Sequence, residues 1–299
     1  MANNGVEKEH SKTAMIAAMY RAIHNIEYNN EKYGPDHLAK YFLFGIHRWL
    51  IKTQFFRTKF KTKSESLTPG MYGYLLARTA FFDEIFKNSI ENGYVQIVLL
   101  GAGYDSRAYR FSNLSNTINI IELDIHTTQN RKKKCLKKAN IKIPDNVILT
   151  PINFNTDSML AVLEGSGYDK QKKTLFLWEG VTMYLDEESI VQVLDFIKVH
   201  SPSQSALAFD YVKKISEQDI EKSYGVKTFL EYWKEHRKSE PFKHTFDTSN
   251  LNKFFTDKGF LVKENYDNND IEKKFLLDEN KNIVEKINAM FCFTVITTK

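Results

Sequence analysis

Five short apolar runs, separated by stretches of helical pattern, constrain this chain more than any other feature. They occupy residues 95–100, 118–123, 147–152, 174–178 and 206–212. Runs this short and this largely apolar read as strands buried on both faces. Helical patterns lie between several of them, most clearly over 125–139 and 187–200. Two later strand candidates cover 260–266 and 290–298. The expectation is an α/β fold: a mainly parallel, seven-stranded sheet with helices on both faces.

The first third has a different texture. Residues 11–24 place Met15, Met19 and Ile23 on one helical stripe, with Ser11 able to cap it. Gly34-Pro35-Asp36 is a break. Residues 37–60 are aromatic and basic and read as one or two helices. Thr68-Pro69-Gly70 breaks the pattern again, Thr68 and Pro69 being suited to a helix start. The helix that follows should stop at Gly93. We therefore expect a helical region over 1–94 and a Rossmann-like core over 95–299. A charged, aromatic insertion of helix and loop falls at about 216–250. Asp267-Asn268-Asn269-Asp270 reads as a turn or exposed loop.

Composition narrows the partners. The formal charge is only +5 over 299 residues, too small an excess to argue for nucleic acid. Lys132-Lys133-Lys134 with Lys137-Lys138 reads as a solvated helix face. Cys135 and Cys292 are far apart and lack metal-ligand or redox spacing, so no metal and a reducing compartment are expected. The first twelve residues are polar and charged, and no apolar run approaches the roughly 20 residues a bilayer requires. The expectation is a cytoplasmic protein with neither a membrane nor a nucleic-acid partner.

The chemistry is concentrated after the first run. It ends in Gly101-Ala102-Gly103-Tyr104-Asp105-Ser106-Arg107. A glycine-rich turn at that point lets a ligand approach the backbone. An isolated GxG is more often just a tight strand-to-helix turn. The second run, however, ends in Glu122-Leu123-Asp124, about twenty residues on, the spacing of an acid that holds a ribose. Alone, Asp124 would read as a helix cap. The two features together point to a nucleoside. A dinucleotide site wants a third glycine where Ser106 stands, and Asp105 would repel a pyrophosphate but could face a cation. The sulfonium cofactor S-adenosylmethionine fits better than a nicotinamide.

The run from Gly101 to Arg110 resembles the LGAGxDTRAYR signature of the leucine carboxyl methyltransferase superfamily, and more closely its bacterial-type O-methyltransferase branch. Three other stretches are similar in order. They are Ser11-Lys12-Thr13-Ala14 with Arg21-Ala22, then Arg78-Thr79 with Asp83, and Glu179-Gly180-Val181-Thr182-Met183-Tyr184-Leu185. The resemblance implies a class I methyltransferase that uses S-adenosyl-L-methionine. It implies that Arg78, helped by Lys12, binds the cofactor's methionine carboxylate. Gly101 and Gly103 would lie against the cofactor, with Asp105 beside them, and Asp124 would hold the ribose. Asn153 and Phe154 stand where the family has Asp-Leu next to the adenine, and Glu179 would sit near the methionine ammonium. Read singly, Arg78 is an ordinary helix arginine, Glu179 a helix cap, Met183 and Tyr184 core residues, and Asp210 structural.

No base is evident among the eight histidines, so no catalytic acid or base is named. The place after the fourth run lacks the proline-containing loop with which amine methyltransferases on this fold hold their acceptor. The expected reaction is O-methylation of a carboxyl or hydroxyl group on a small molecule. A protein C-terminal carboxylate is the second choice. A catalytically inactive S-adenosylmethionine-binding module and a nicotinamide oxidoreductase are the readings from other classes.

Overall fold

The computed structural model describes residues 12–154, 156–236 and 241–299, with the Lys12 side chain also outside the description. Ser11 and its capping role therefore lie outside the described residues. Helix α1 (Lys12–Glu27) leads through two 3₁₀ turns to α2 (Gly45–Leu50), α3 (Gln54–Leu67) and α4 (Met71–Glu91). The alternating region then runs β1 (Gln96–Leu100), α5 (Arg107–Arg110), β2 (Asn119–Asp124), α6 (His126–Lys138), β3 (Val147–Pro151), α7 (Met159–Gly165), β4 (Thr174–Trp178), α8 (Glu187–His200) and β5 (Ala206–Val212). It closes with α9 (Glu217–Ile220), α10 (Val226–His236), α11 (Leu251–Asp257), β6 (Phe260–Tyr266), α12 (Asn268–Phe275) and β7 (Phe291–Thr298).

The strands form one sheet in the order β3-β2-β1-β4-β5-β7-β6. β1 to β5 are parallel, while β7 runs antiparallel to both β5 and β6. The strand order reverses direction between β1 and β4, and in such sheets ligands bind at that switch point, beyond the carboxyl ends of the strands. Period-two alternation explains why the runs are apolar at both odd and even positions. Ile97 and Leu99 of β1, with Leu175 and Leu177 of β4, face the core under α1 and α4. Val98 and Leu100, with Phe176 and Trp178, face a second core under α8. Among the described residues no helix is long and apolar enough to cross a membrane.

Three expectations are corrected. Residues 267–270 are not a free loop. Asp267 caps α12 and Asp270 reciprocates in a capping box, so the acids and asparagines that suggested a turn are a helix start. Thr68 does not begin α4. It ends α3, its hydroxyl donating to the Ser64 carbonyl, and Gly70, at φ 77°, precedes α4 instead. Lys132 is not solvated. It is buried and paired at 2.6 Å with the equally buried Glu122, whereas Lys133, Lys134, Lys137 and Lys138 are exposed as expected.

Candidate active site

The turn after β1 is built by glycine. Gly101 and Gly103 sit at φ 70° and 48°, left-handed conformations that other residues rarely adopt. A Cβ on Gly101 would come within 3.0 Å of Val181 Cγ2. The turn is tied to β2 by Asp124, which accepts from Gly103 N at 2.5 Å and from Ile125 N at 2.7 Å. Ile125, not Asp124, is the N-cap of α6. Asp124 is thus a strand-end acid aimed at the glycine turn. Burial raises its pKa, with those two backbone donors acting in the opposite direction.

A cavity of about 470 Å³ opens over this edge of the sheet. One end is walled by Gly101, Gly103, Asp105, Asp124, Phe154 and Glu179, together with Arg78 from α4. Thr13, Ala14 and Ala17 of α1 roof it. The other end is aromatic and apolar, formed by Tyr20, Met71, Tyr184, Tyr232, Trp233 and Phe242 among others. Tyr184, Trp233 and Phe242 interlock, with ring centroids 4.7–6.4 Å apart. Met183 is buried in the core and also lines the cavity. Of the residues singled out in sequence, Arg78, Gly101, Gly103, Asp105, Asp124, Phe154 and Glu179 converge on this one cavity. Asn153 is not among its lining residues; its backbone N–H donates to Asp157 instead. The Lys12 side chain lies outside the described residues.

The charged residues beneath the cavity form one buried chain. Arg78 pairs with Glu179 at 3.1 Å and with Asp210 at 3.3 Å. Glu179 pairs with Arg107 at 2.7 Å, and Arg107 also grips Asp83 at 2.8 Å and Asp105. Arg110 joins Asp83 to Asp36, and Asp36 pairs with Arg21 at 2.9 Å. The chain contains four guanidiniums (Arg21, Arg78, Arg107, Arg110) and five carboxylates (Asp36, Asp83, Asp105, Glu179, Asp210), a formal excess of one negative charge. Burial opposes the charge on Arg107, but Asp105, Glu179 and Asp83 outweigh it and hold the pKa well above its ordinary value. At Asp36 burial is likewise outweighed, by Arg110 and Arg21, and the pKa falls to about 2. Asp210 differs, because there burial raises the pKa against the pull of Arg78.

Two sequence readings change here. Asp105 does not offer an unpaired charge to a ligand, since its carboxylate is bound to Arg107 and to the Arg107 backbone N–H. Asp210 does more than support β5. It accepts from Tyr74 Oη and from Gly180 N at 2.6 Å, and it holds Arg78. Sequence reasoning also missed Tyr74 and the double role of Arg107. The signal available for the latter was Arg107 and Arg110 at a helical spacing of three, which shares a face and can meet one acid on a neighbouring helix.

The residues fit a nucleoside cofactor bearing positive charge. The acid at the end of β2 and the close-approach turn suit the nucleoside, and the surplus carboxylate suits a cation. A sheet of this order with this site defines a class I S-adenosylmethionine-dependent methyltransferase. The leucine carboxyl methyltransferase model matches residues 14–198, more than half of the chain, and the chain belongs to that family. Over 294 residues it is 25% identical to the Bacillus subtilis (strain 168) protein named "Putative S-adenosyl-L-methionine-dependent methyltransferase YktD", covering 93% of this chain and 95% of that one. A Mycobacterium marinum relative, also named for S-adenosyl-L-methionine-dependent methyltransfer, is 33% identical over 138 residues, 46% of this chain and 43% of its own length. The crystal structure of a DUF574 family protein from Streptomyces avermitilis superposes with a TM-score of 0.61 at 10% identity over 98% of each chain, a likeness of fold alone.

Proposed function

We propose that this methyltransferase acts on oxygen, with a carboxylate of an apolar or aromatic small molecule as its first acceptor and a hydroxyl as its second. The observation that carries this is the chemistry of the cavity lining. No histidine is among its described lining residues, and its three carboxylates, Asp105, Asp124 and Glu179, all stand at the glycine-turn end, hydrogen-bonded or ion-paired. Among the described residues, the aromatic end has neither a histidine nor a carboxylate to act as base; its ionisable side chains are tyrosines and Lys243. A carboxylate acceptor needs none, because it is ionised near neutral pH, whereas an alcohol or phenol does.

When bound, the cofactor supplies an electrophilic methyl on a sulfonium. The chain's own work is to position the acceptor and exclude water. The aromatic rings are suited to clamp an apolar body, leaving its oxygen toward the glycine turn. Under this reading Asp124 holds the ribose, and Gly101 and Gly103 allow close approach. Arg78, with Lys12, takes the methionine carboxylate, while Glu179 takes the ammonium. Phe154 covers the adenine with Asn153 beside it, and Asp105 acts through Arg107. A guanidinium has five N–H donors, so Arg78 can keep Asp210 and still bind a ligand. The helical region 1–94 and the insertion at about 216–250 serve as the acceptor cover, and the remainder of 95–299 as the cofactor core. A protein C-terminal carboxylate remains the alternative acceptor.

The test is the pH dependence of turnover on matched aryl carboxylic acids and phenols. Because a carboxylate acceptor needs no base, kcat/KM on the carboxylic acids should be flat above about pH 6. A rate that rises with pH on phenols alone, with no turnover of the acids, would overturn the assignment.

A further inference from the structure

The modest net charge conceals a strong segregation. Between Asp36 and Glu65 the chain has no acidic residue, yet it carries Lys40, Arg48, Lys52, Arg57, Lys59, Lys61 and Lys63. Those seven charges exceed the net +5 of the whole chain, leaving the rest at 5 − 7 = −2. Among the described residues only Arg57, to Glu27, and Lys61, to Glu285, pair with a carboxylate.

The same segment exposes large apolar side chains. Ile46 and Trp49, three residues apart on one face of α2, are 61% and 62% exposed, and Phe55, in the first turn of α3, is 77% exposed. The faces of α3 separate cleanly. Phe60 and Ser64 meet Tyr20 of α1, through ring contact at 4.9 Å and a hydrogen bond of 2.8 Å. Phe55, Lys59 and Lys63 follow one another at helical spacing on the outer face, with the Lys59 ammonium 5.9 Å from the Phe55 ring. Beside α2 lies a second cavity, of about 320 Å³, with His37, Lys40, Arg48 and Lys52 in its lining. Arg48 Nε is buried and finds no hydrogen-bond partner among the described residues. Asp36, also in that lining, is already paired with Arg21 and Arg110.

We propose that residues 37–63 form a membrane-docking surface, on which α2 and the start of α3 lie in the headgroup region of an anionic bilayer. Ile46, Trp49 and Phe55 enter the acyl boundary, and a lipid phosphate seats against Arg48. An aromatic face surrounded by lysine and arginine is the composition of such interfacial helices, and none of it requires a spanning segment. Charge complementarity selects this occupant. A two-fold contact with a second copy would set Lys40, Arg48, Lys52, Lys59 and Lys63, which have no carboxylate partner among the described residues, against themselves. An aliphatic Ile46 beside the rings cannot stack on single-stranded bases as flat groups do.

The test is flotation of the purified full chain with vesicles of phosphatidylcholine alone and of equal parts phosphatidylglycerol and phosphatidylcholine. The chain should float with the anionic vesicles only, and about 0.5 M salt should release it. Lys52→Ala, Lys59→Ala and Lys63→Ala should each weaken partitioning about fivefold. Trp49→Ser with Phe55→Ser should abolish it. All variants should keep S-adenosylhomocysteine affinity unchanged, which shows that they are folded. The Trp49 emission should shift to the blue with anionic vesicles, and Trp49→Phe should lose that shift. The proposal is overturned by absence of vesicle binding, by equal binding to neutral vesicles, by a Trp49-dependent dimer in sedimentation, or by RNA that competes the chain off the vesicles at matched charge.

Discussion

Asp124 both lines the cavity and ties the fold together. Its two oxygens accept the N–H groups of Gly103 and Ile125, fixing the turn between β1 and α5 against the end of β2. Each oxygen has lone-pair capacity beyond these bonds. Charge-assisted bonds to a ribose there are worth about 1.5–3 kcal/mol, so Asp124→Ala should weaken S-adenosylhomocysteine roughly 10- to 100-fold in calorimetry. An unchanged dissociation constant would reduce Asp124 to a turn-forming residue. Arg78 calls for a comparison of ligands. Arg78→Lys cannot reproduce a planar fork, so it should weaken S-adenosylhomocysteine far more than adenosine, which lacks the amino-acid tail. Equal weakening of both would mean general damage to the site.

A third residue bears on stability. His24 is buried against Tyr72, with ring centroids 4.4 Å apart, and neither of its ring nitrogens has a hydrogen-bond partner among the described residues. Burial, aided by the charges of Lys61 and Arg21, drives its pKa from 6.5 down to about 3. Below pH 6.5 the unfolded chain therefore binds a proton that the folded chain refuses, and stability is lost as pH falls from 6.5 toward 3. The loss attributable to His24 should reach about 2 kcal/mol at pH 5 relative to pH 7.5. Denaturation of the wild type and of His24→Phe across that range should show the difference converging toward neutrality. Parallel curves would contradict it.

At the scale of elements, the strands and α8 were legible because their signals are local. β4, β5, β6 and α8 begin and end where apolar runs, glycines and acids mark them. The glycine turn and Asp124 were legible by spacing alone. What was not legible depended on which partner a side chain meets, whether near or remote in sequence. Asp267 reads equally as turn or cap until Asp270 is seen to answer it. Lys132 reads as one more surface lysine until Glu122 is found beneath it. The Asp210–Arg78 contact joins β5 to a helix 132 residues earlier, and nothing local announces it.

Gly180 ties two of these elements together. It sits at φ 70°, and a Cβ there would meet Arg78 Nη1 at 2.9 Å. Gly180→Ala should strain the turn after β4 and displace the guanidinium, lowering stability by about 1–3 kcal/mol and S-adenosylhomocysteine affinity with it. Adenosine affinity should fall less. Full retention of both would show that Arg78 has slack the geometry does not suggest.

Over the whole molecule, the ion-pair chain from Arg21 to Asp210 joins α1, α4 and α5 to the ends of β4 and β5. It fastens the helical cover to the sheet directly beneath the cavity. Its surplus carboxylate suits a cationic ligand, and under the proposed function the aromatic residues of the cavity would take an acceptor that brings its own negative oxygen. The most direct measurement of that account is transfer of labelled methyl from S-adenosylmethionine into a cell extract separated into metabolite, protein and nucleic-acid fractions. Label in the metabolite fraction that mild base releases as methanol is the result that the proposed carboxyl methylation predicts. Label confined to RNA or DNA, or base-stable label on nitrogen, would contradict it.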